Sequence, residues 1–244
     1  QFLESFSPKE IAESVEKMDA DDATDIIQDL PEEIREEVLE ALQDEDHSSD
    51  ISMLMNYDEN SAGGIMDTEF ISANWNWTVK NALKKLREQV ENVDQVYTIY
   101  VVDSSKKFKG ILSLKRFLYA SDDTLIKDIY RKDSITVFDN EEAELVASKM
   151  EKYDLVVIPV VDENKILLGR ITIDDALDVI KEEAEKDYQM ASGISEKIEP
   201  SDSLFVISRA RLPWLLIGMV GGILGAYVIG FFEVHLKLKN LLYP

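Results

Sequence analysis

The run over residues 212–232, LPWLLIGMVGGILGAYVIGFF, holds twenty-one residues without a charge, in a 244-residue chain that is otherwise acidic. As a helix rising 1.5 Å per residue it would reach roughly 30 Å, the hydrocarbon thickness of a bilayer. A buried core helix is the alternative, but such runs are usually shorter. Arg209 and Arg211 precede the run and Glu233 follows it, so the positive-inside bias places residues 1–211 in the cytoplasm. Gly218, Gly221, Gly222 and Gly225 recur at four-residue spacings, with Gly230 beyond them; such spacings let another helix approach closely. The chain starts at Gln1, and only residues 234–244 follow Glu233. The expectation is therefore a multi-pass membrane protein whose membrane part continues past Pro244.

Charge is distributed unevenly. Residues 1–60 carry twenty Asp and Glu against Lys9, Lys17 and Arg35, a net of −17 out of −23 for the whole chain. Such a face repels nucleic acid and anionic lipid and concentrates cations, although a solvated acidic helical surface would look the same. There is no cysteine, so disulfides and thiolate metal sites are excluded, in keeping with a reducing compartment. The N-terminus has no basic, apolar signal sequence, which leaves targeting to the later span.

The first sixty residues read as helices. Ser7-Pro8-Lys9-Glu10 has the form of a capping box with Pro at the first helical position, leading into Ile11, Val15 and Met18. A second helix starts near Ala20 with Ala23, Ile26, Ile27 and Leu30 inward, which leaves Asp21 and Asp25 able to face outward. Pro31 opens a third, with Ile34, Val38, Leu39 and Leu42 at helical spacing. A short fourth helix near residues 51–55 leads to Ser61-Ala62-Gly63-Gly64, where the glycines predict a linker.

From Ile65 the pattern alternates helix and strand, twice. Tyr97-Thr98-Ile99-Tyr100-Val101-Val102-Asp103 and then Gly110-Ile111 are matched by Val156-Val157-Ile158-Pro159-Val160-Val161-Asp162 and then Gly169-Arg170. Asp103 and Asp162 share one offset, 59 residues, with Gly110 and Gly169, which marks an internal repeat. These strings resemble a tandem pair of CBS domains over about residues 65–181. The resemblance implies two βαββα copies packed sheet to sheet, with a cleft that in many pairs takes an adenine nucleotide, an Asp three residues after a Ser or Thr holding the ribose. Thr172-Ile173-Asp174-Asp175 has that form, but Ser113 is followed by Arg116. Thr172 can equally cap the next helix.

That next helix carries Asp174, Asp175, Asp178, Glu182, Glu183, Glu185 and Asp187, with Asp175, Asp178 and Glu182 at three- and four-residue spacing. Like charges so placed cost about 0.2–0.5 kcal/mol per pair in an isolated helix, and a second acidic surface docking there would need counterions. Hard divalent cations take oxygen ligands, and Mg²⁺ tends to keep waters and use one or two carboxylates. No EF-hand loop is present to favour Ca²⁺.

The order of an acidic helical domain, a Gly-Gly junction, a CBS pair, an acidic helix and a glycine-rich apolar span resembles the MgtE family of magnesium channels and transporters. So do the strings YVVD, GILSL, YDLVVIPVVDE and DDALDVIKEEAEKD. The fold implied is α+β and multidomain: an all-α N-terminal domain over 1–60, CBS domains over 65–122 and 123–181, a connecting "plug" helix over 182–208, and a first transmembrane helix with the start of the next segment over 209–244. The resemblance further implies a homodimer that conducts Mg²⁺ and closes when cytosolic Mg²⁺ bridges its acidic surfaces. By position, Asp21 and Asp25 match the N-terminal domain's acidic helix. Asp175, Asp178 and Glu183 match the end of the CBS pair and the plug helix, and Asp154 matches a CBS carboxylate able to share an ion with Asp178. ATP is a further ligand of some members; here Thr98 and Leu155 stand where an aromatic would stack on the base, and Arg116 replaces an acid.

No nucleophile elbow, phosphate loop or zinc spacing occurs, and His47 and His235 are too isolated to form a site, so no enzyme is expected. Trp75 and Trp77 are expected to pack. The competing reading is a membrane-anchored CBS nucleotide sensor that regulates a separate partner. A CBS module of a magnesium or cobalt efflux protein fits less well, because the acidic helical domain precedes the CBS pair.

Overall fold

In the computed structural model, which describes residues 6–89, 98–191 and 204–242, four short helices open the chain: α1 (Pro8–Val15), α2 (Ala20–Gln28), α3 (Glu32–Ala41) and α4 (Glu45–Leu54). The Ser7–Glu10 capping box forms as the sequence predicts. Arg35 closes the end of α2 by donating from one Nη to the carbonyls of Gln28 (2.6 Å) and Leu30 (3.2 Å). Glu16 Oε1 accepts from the backbone N–H groups of Gln43 and Asp44 (2.7 and 2.9 Å). His47 is half-buried, with Nε2 3.3 Å from the Val15 carbonyl. Some of the domain's acidity is thus spent on helix ends, where orphan backbone groups need partners.

The repeat is realised strand for strand. The first copy comprises β1 (Ser72–Asn74), α5 (Val79–Gln89), β2 (Ile99–Val102), β3 (Phe108–Leu112) and α6 (Leu114–Tyr119). The second comprises β4 (Val137–Phe138), α7 (Ala143–Lys152), β5 (Val157–Val161), β6 (Leu167–Thr172) and α8 (Ile173–Ala191). Each sheet pairs its first strand parallel and its last antiparallel to the central one. The registers Val101↔Gly110 and Val160↔Gly169 match across the repeat, and a bulge follows Val101 and Val160 alike. Lys106 and Lys165 both take positive φ (60° and 65°) in the hairpin turns. The two turns meet: Phe108 N–H donates to the Lys165 carbonyl (2.8 Å) and Leu167 N–H to that of Lys106 (3.2 Å). Between the copies Tyr100, Val161 and Leu167 are buried with Phe70, Phe108 and Ile111 against them.

Chain order and packing order differ. Ile11, Val15, Ala23, Ile27, Val38, Ile51 and Leu54 of the N-terminal helices share one core with Val146, Met150, Ile158, Val160 and Ile171 of the second copy, joined through Ala62 and Met66. The first copy, although next in sequence, has its own core, where Trp75 and Trp77 pack as expected.

The Gly63-Gly64 linker expected from sequence is a fastened connector instead. Ala62 N–H donates to the Glu141 carbonyl (2.7 Å), Gly63 N–H to that of Asp139 (2.8 Å), and Ala143 N–H to that of Asn60 (2.8 Å). The glycines serve close approach: a Cβ on Gly64 would overlap the Asp58 carbonyl oxygen, and one on Gly169 would lie 2.6 Å from that of Asp67.

Residues 1–180 and 181–244 form two compact units. In the second, α9 (Leu204–Leu242) is 39 residues long, about 58 Å. It contains residues 211–232, which are long and apolar enough to cross a membrane. Of the helix expected over 182–208, residues 182–191 continue α8, whereas 192–203, like Val90, Tyr97 and the side chains of Glu233 and His235, lie outside the described residues.

Candidate acidic seam between the helical domain and the second CBS copy

The start of α2 brings carboxylates to the second copy. Asp19 stands at the N-cap without using its side chain as a cap, and Asp21 and Asp22 occupy the first turn, where the helix dipole favours negative charge. Ala20, Ala23 and Ile27 are buried; they press this turn inward, so Asp21 is half-buried rather than fully outward-facing. Its Oδ1 is buried with no hydrogen-bond partner. Burial first, then the charges of Asp67 and Asp175, push its pKa up to about 8. Asp22, more exposed, is raised by desolvation and then by Asp19 and Asp178.

On the second copy, at the start of α8, Asp175 accepts from the Thr172 N–H and hydroxyl at its Oδ2, both at 2.7 Å. Burial outweighs those bonds, so its carboxyl too is raised.

Between the two lies an ion pair that the sequence reading missed. Arg170 on β6 donates from Nε (2.9 Å) and one Nη (2.7 Å) to Asp67 Oδ2, and both side chains are buried, at 8% and 4% exposure. The two backbones also pair, each N–H donating to the other's carbonyl at 2.8 and 2.9 Å. Desolvation still holds the Asp67 carboxyl above its ordinary value; burial works against the charge of the Arg170 guanidinium, but Asp67 outweighs it and raises the group. The signal was present in the repeat: offset by 59 residues, Arg170 corresponds to Ile111, so one strand carries a charge where its twin carries a hydrocarbon.

Asp21 thus lies near enough to Asp67 and Asp175, and Asp22 to Asp178, for their charges to act on one another, with Arg170 paired to Asp67. Asp25 is exposed on α2. Asp154 is exposed after α7 with φ 50°. Glu183 pairs with Lys186 at 3.3 Å. Among the described residues no three acidic or histidine side chains converge into a ready-made metal cage. What the seam offers is a desolvated carboxylate with an unsatisfied oxygen beside further acids, a donor set suited to a hydrated hard cation. Of the positions weighed for nucleotide stacking, Thr98 is buried and donates to the Leu112 carbonyl (3.2 Å), Leu155 packs on the core, and Ser113 Oγ accepts from the Arg116 N–H.

Comparison with known proteins agrees with this layout. Residues 1–60 match the MgtE intracellular N domain, and residues 62–123 and 126–182 match CBS domains. A magnesium transporter MgtE of Enterococcus faecalis is 34% identical over 81% of this chain and 43% of its own length. One of Bacillus subtilis is 31% identical over 92% and 49%. The chain therefore spans under half the length of these curated relatives. The crystal structure of the soluble part of a magnesium transporter superposes with a TM-score of 0.69 at 34% identity, covering 75% of this chain and 71% of that one. The cytosolic domain of the Mg²⁺ channel MgtE in complex with ATP gives 0.67 at 32% identity, covering 73% of each. With the helical domain, the CBS pair and their order all matched, the chain belongs to the MgtE family of magnesium transporters.

Proposed function

We propose that this chain is the regulatory region, with the first membrane helix, of a homodimeric magnesium channel or transporter of the cell membrane, residues 1–211 facing the cytoplasm. Cytosolic Mg²⁺ joins carboxylates of the N-terminal domain (Asp21, Asp25) to those of the second CBS domain and the connecting helix (Asp154, Asp175, Asp178, Glu183), and so holds the pore closed. Mg²⁺ is both the regulator and the transported substrate, and the relatives' names describe transporters rather than enzymes. The observation that carries this reading is Asp21: a buried carboxylate oxygen without a partner, facing Asp67 and Asp175 across a domain seam. A proton or a hydrated cation would satisfy that oxygen, and an unpaired charge held away from water is costly. Exposed apolar residues at matched places in the repeat, Leu118 on α6 and Leu177 on α8, support pairing with a second copy.

Because the ion must favour the closed form, Mg²⁺ should raise the unfolding midpoint of the chain in detergent. The gain is about 2.7 kcal/mol at a hundredfold excess over Kd, and Asp21→Asn with Asp175→Asn should remove most of it. An unchanged wild-type midpoint at saturating Mg²⁺ would sink the reading. Adenine nucleotide binding between the CBS copies is favoured by the likeness to the ATP-complexed relative and opposed by the absence of an aromatic at Thr98 and Leu155.

A further inference from the structure

The connector over residues 60–67 joins two acidic surfaces, yet it is fastened to the second CBS copy by means that need no added ion. Its backbone bonds to Asp139, Glu141, Ala143 and Arg170 are in place. Ser61, Ala62, Met66 and Asp67 are all buried. The one carboxylate it buries is met by a guanidinium through two donors, on Nε and Nη. Asp67 and Asp21 are near enough for the charge of one to raise the pKa of the other, so without Arg170 the seam would lose the guanidinium that faces Asp67. A guanidinium is always charged and holds its donors in a rigid fork, which makes it a permanent counter-ion where Mg²⁺ would be an exchangeable one.

We propose that Arg170 is a positioning residue: a resident cation that pins Asp67 and the connector to the second CBS domain at any Mg²⁺ concentration, leaving Asp21 and Asp175 as the carboxylates an added ion must join. This rests on the cation-sensing reading above. Any Mg²⁺-dependent movement of the helical domain then pivots ahead of Asn60 instead of at Gly63-Gly64.

Amide exchange followed by mass spectrometry on the whole chain in detergent, in EDTA and in Mg²⁺, tests it. In the wild type, peptides covering 60–68 and 167–173 keep their protection in EDTA to within about threefold. In Arg170→Gln that protection falls at least about tenfold in EDTA and returns with Mg²⁺, since Asp67 then needs an outside ion. Arg170→Lys keeps a charge without the two-donor fork, so its protection in EDTA should fall between those of wild type and Arg170→Gln. Three outcomes overturn the proposal: wild-type protection that is lost in EDTA, an Arg170→Gln protein that exchanges like wild type, or a loss that Mg²⁺ does not reverse. Should Arg170→Gln fail to fold, the wild-type and lysine arms still decide. If Mg²⁺ alters no peptide of the wild type, the cation-sensing reading fails, while the protection of 60–68 in EDTA still judges Arg170.

Discussion

Arg170 and Asp67, 103 positions apart in the chain, are joined twice: guanidinium to carboxylate at 2.7 and 2.9 Å, and backbone to backbone in both directions. The side-chain pair contributes specificity as much as stability, because each partner gave up its hydration to enter the seam.

Removing one partner should therefore be far worse than replacing both. Asp67→Ala leaves an uncompensated buried guanidinium and should cost about 3–5 kcal/mol, whereas Asp67→Leu with Arg170→Met should lie close to wild type. Chemical denaturation of wild type, Asp67→Leu, Arg170→Met and the variant carrying both closes a double-mutant cycle and gives the coupling energy directly.

Metal-free stability should fall as pH rises. Asp21, pushed up to about 8, and Asp22 and Asp175, also raised, hold protons in the folded protein over a range where the unfolded chain has released them, whereas Asp67 stays paired with Arg170. Their contribution is complete below about pH 4, the unfolded carboxylate value, and Asp21's is lost as pH passes about 8. Thermal melts in EDTA across that window should show the decline, at most about 1.4 kcal/mol per pH unit for each proton. Asp21→Asn should flatten it, and Mg²⁺, which competes with the same proton, should stabilise more at pH 8 than at pH 5.

Gly64→Ala should destabilise the chain by about 1–3 kcal/mol, since its Cβ meets backbone and not a yielding side chain. That Cβ would overlap the Asp58 carbonyl oxygen and lie 2.9 Å from Glu59 Cα. A free linker would accept the alanine without loss, so the shift in denaturation midpoint separates a fastened connector from a loose one.

Local chemistry was legible in particular residues. Ser7 and Glu10 announced a helix start, and the 59-residue offset of Gly110 and Gly169 announced two copies whose registers then proved identical. Asp21 was found as an acid, but its burial was not, because a helix stripe says which residues turn inward and nothing about how tightly a partner closes over the next ones. Asp67 escaped notice because it lies in a short segment without periodicity, and Arg170 because it sits in an apolar strand.

The parts are legible along the chain: four acidic helices, a duplicated α/β unit, an acidic helix and a span with bilayer dimensions. Each follows from spacing along the chain, where capping, apolar periodicity and repeat offsets act between near neighbours. Only the tertiary structure decided that the helical domain shares its core with the second copy rather than the first, that Gly63 and Gly64 belong to a seam, and that Arg170 meets Asp67. Those outcomes depend on which surfaces bury each other, and desolvation, which sets the charge state of Asp21, exists only once they have met.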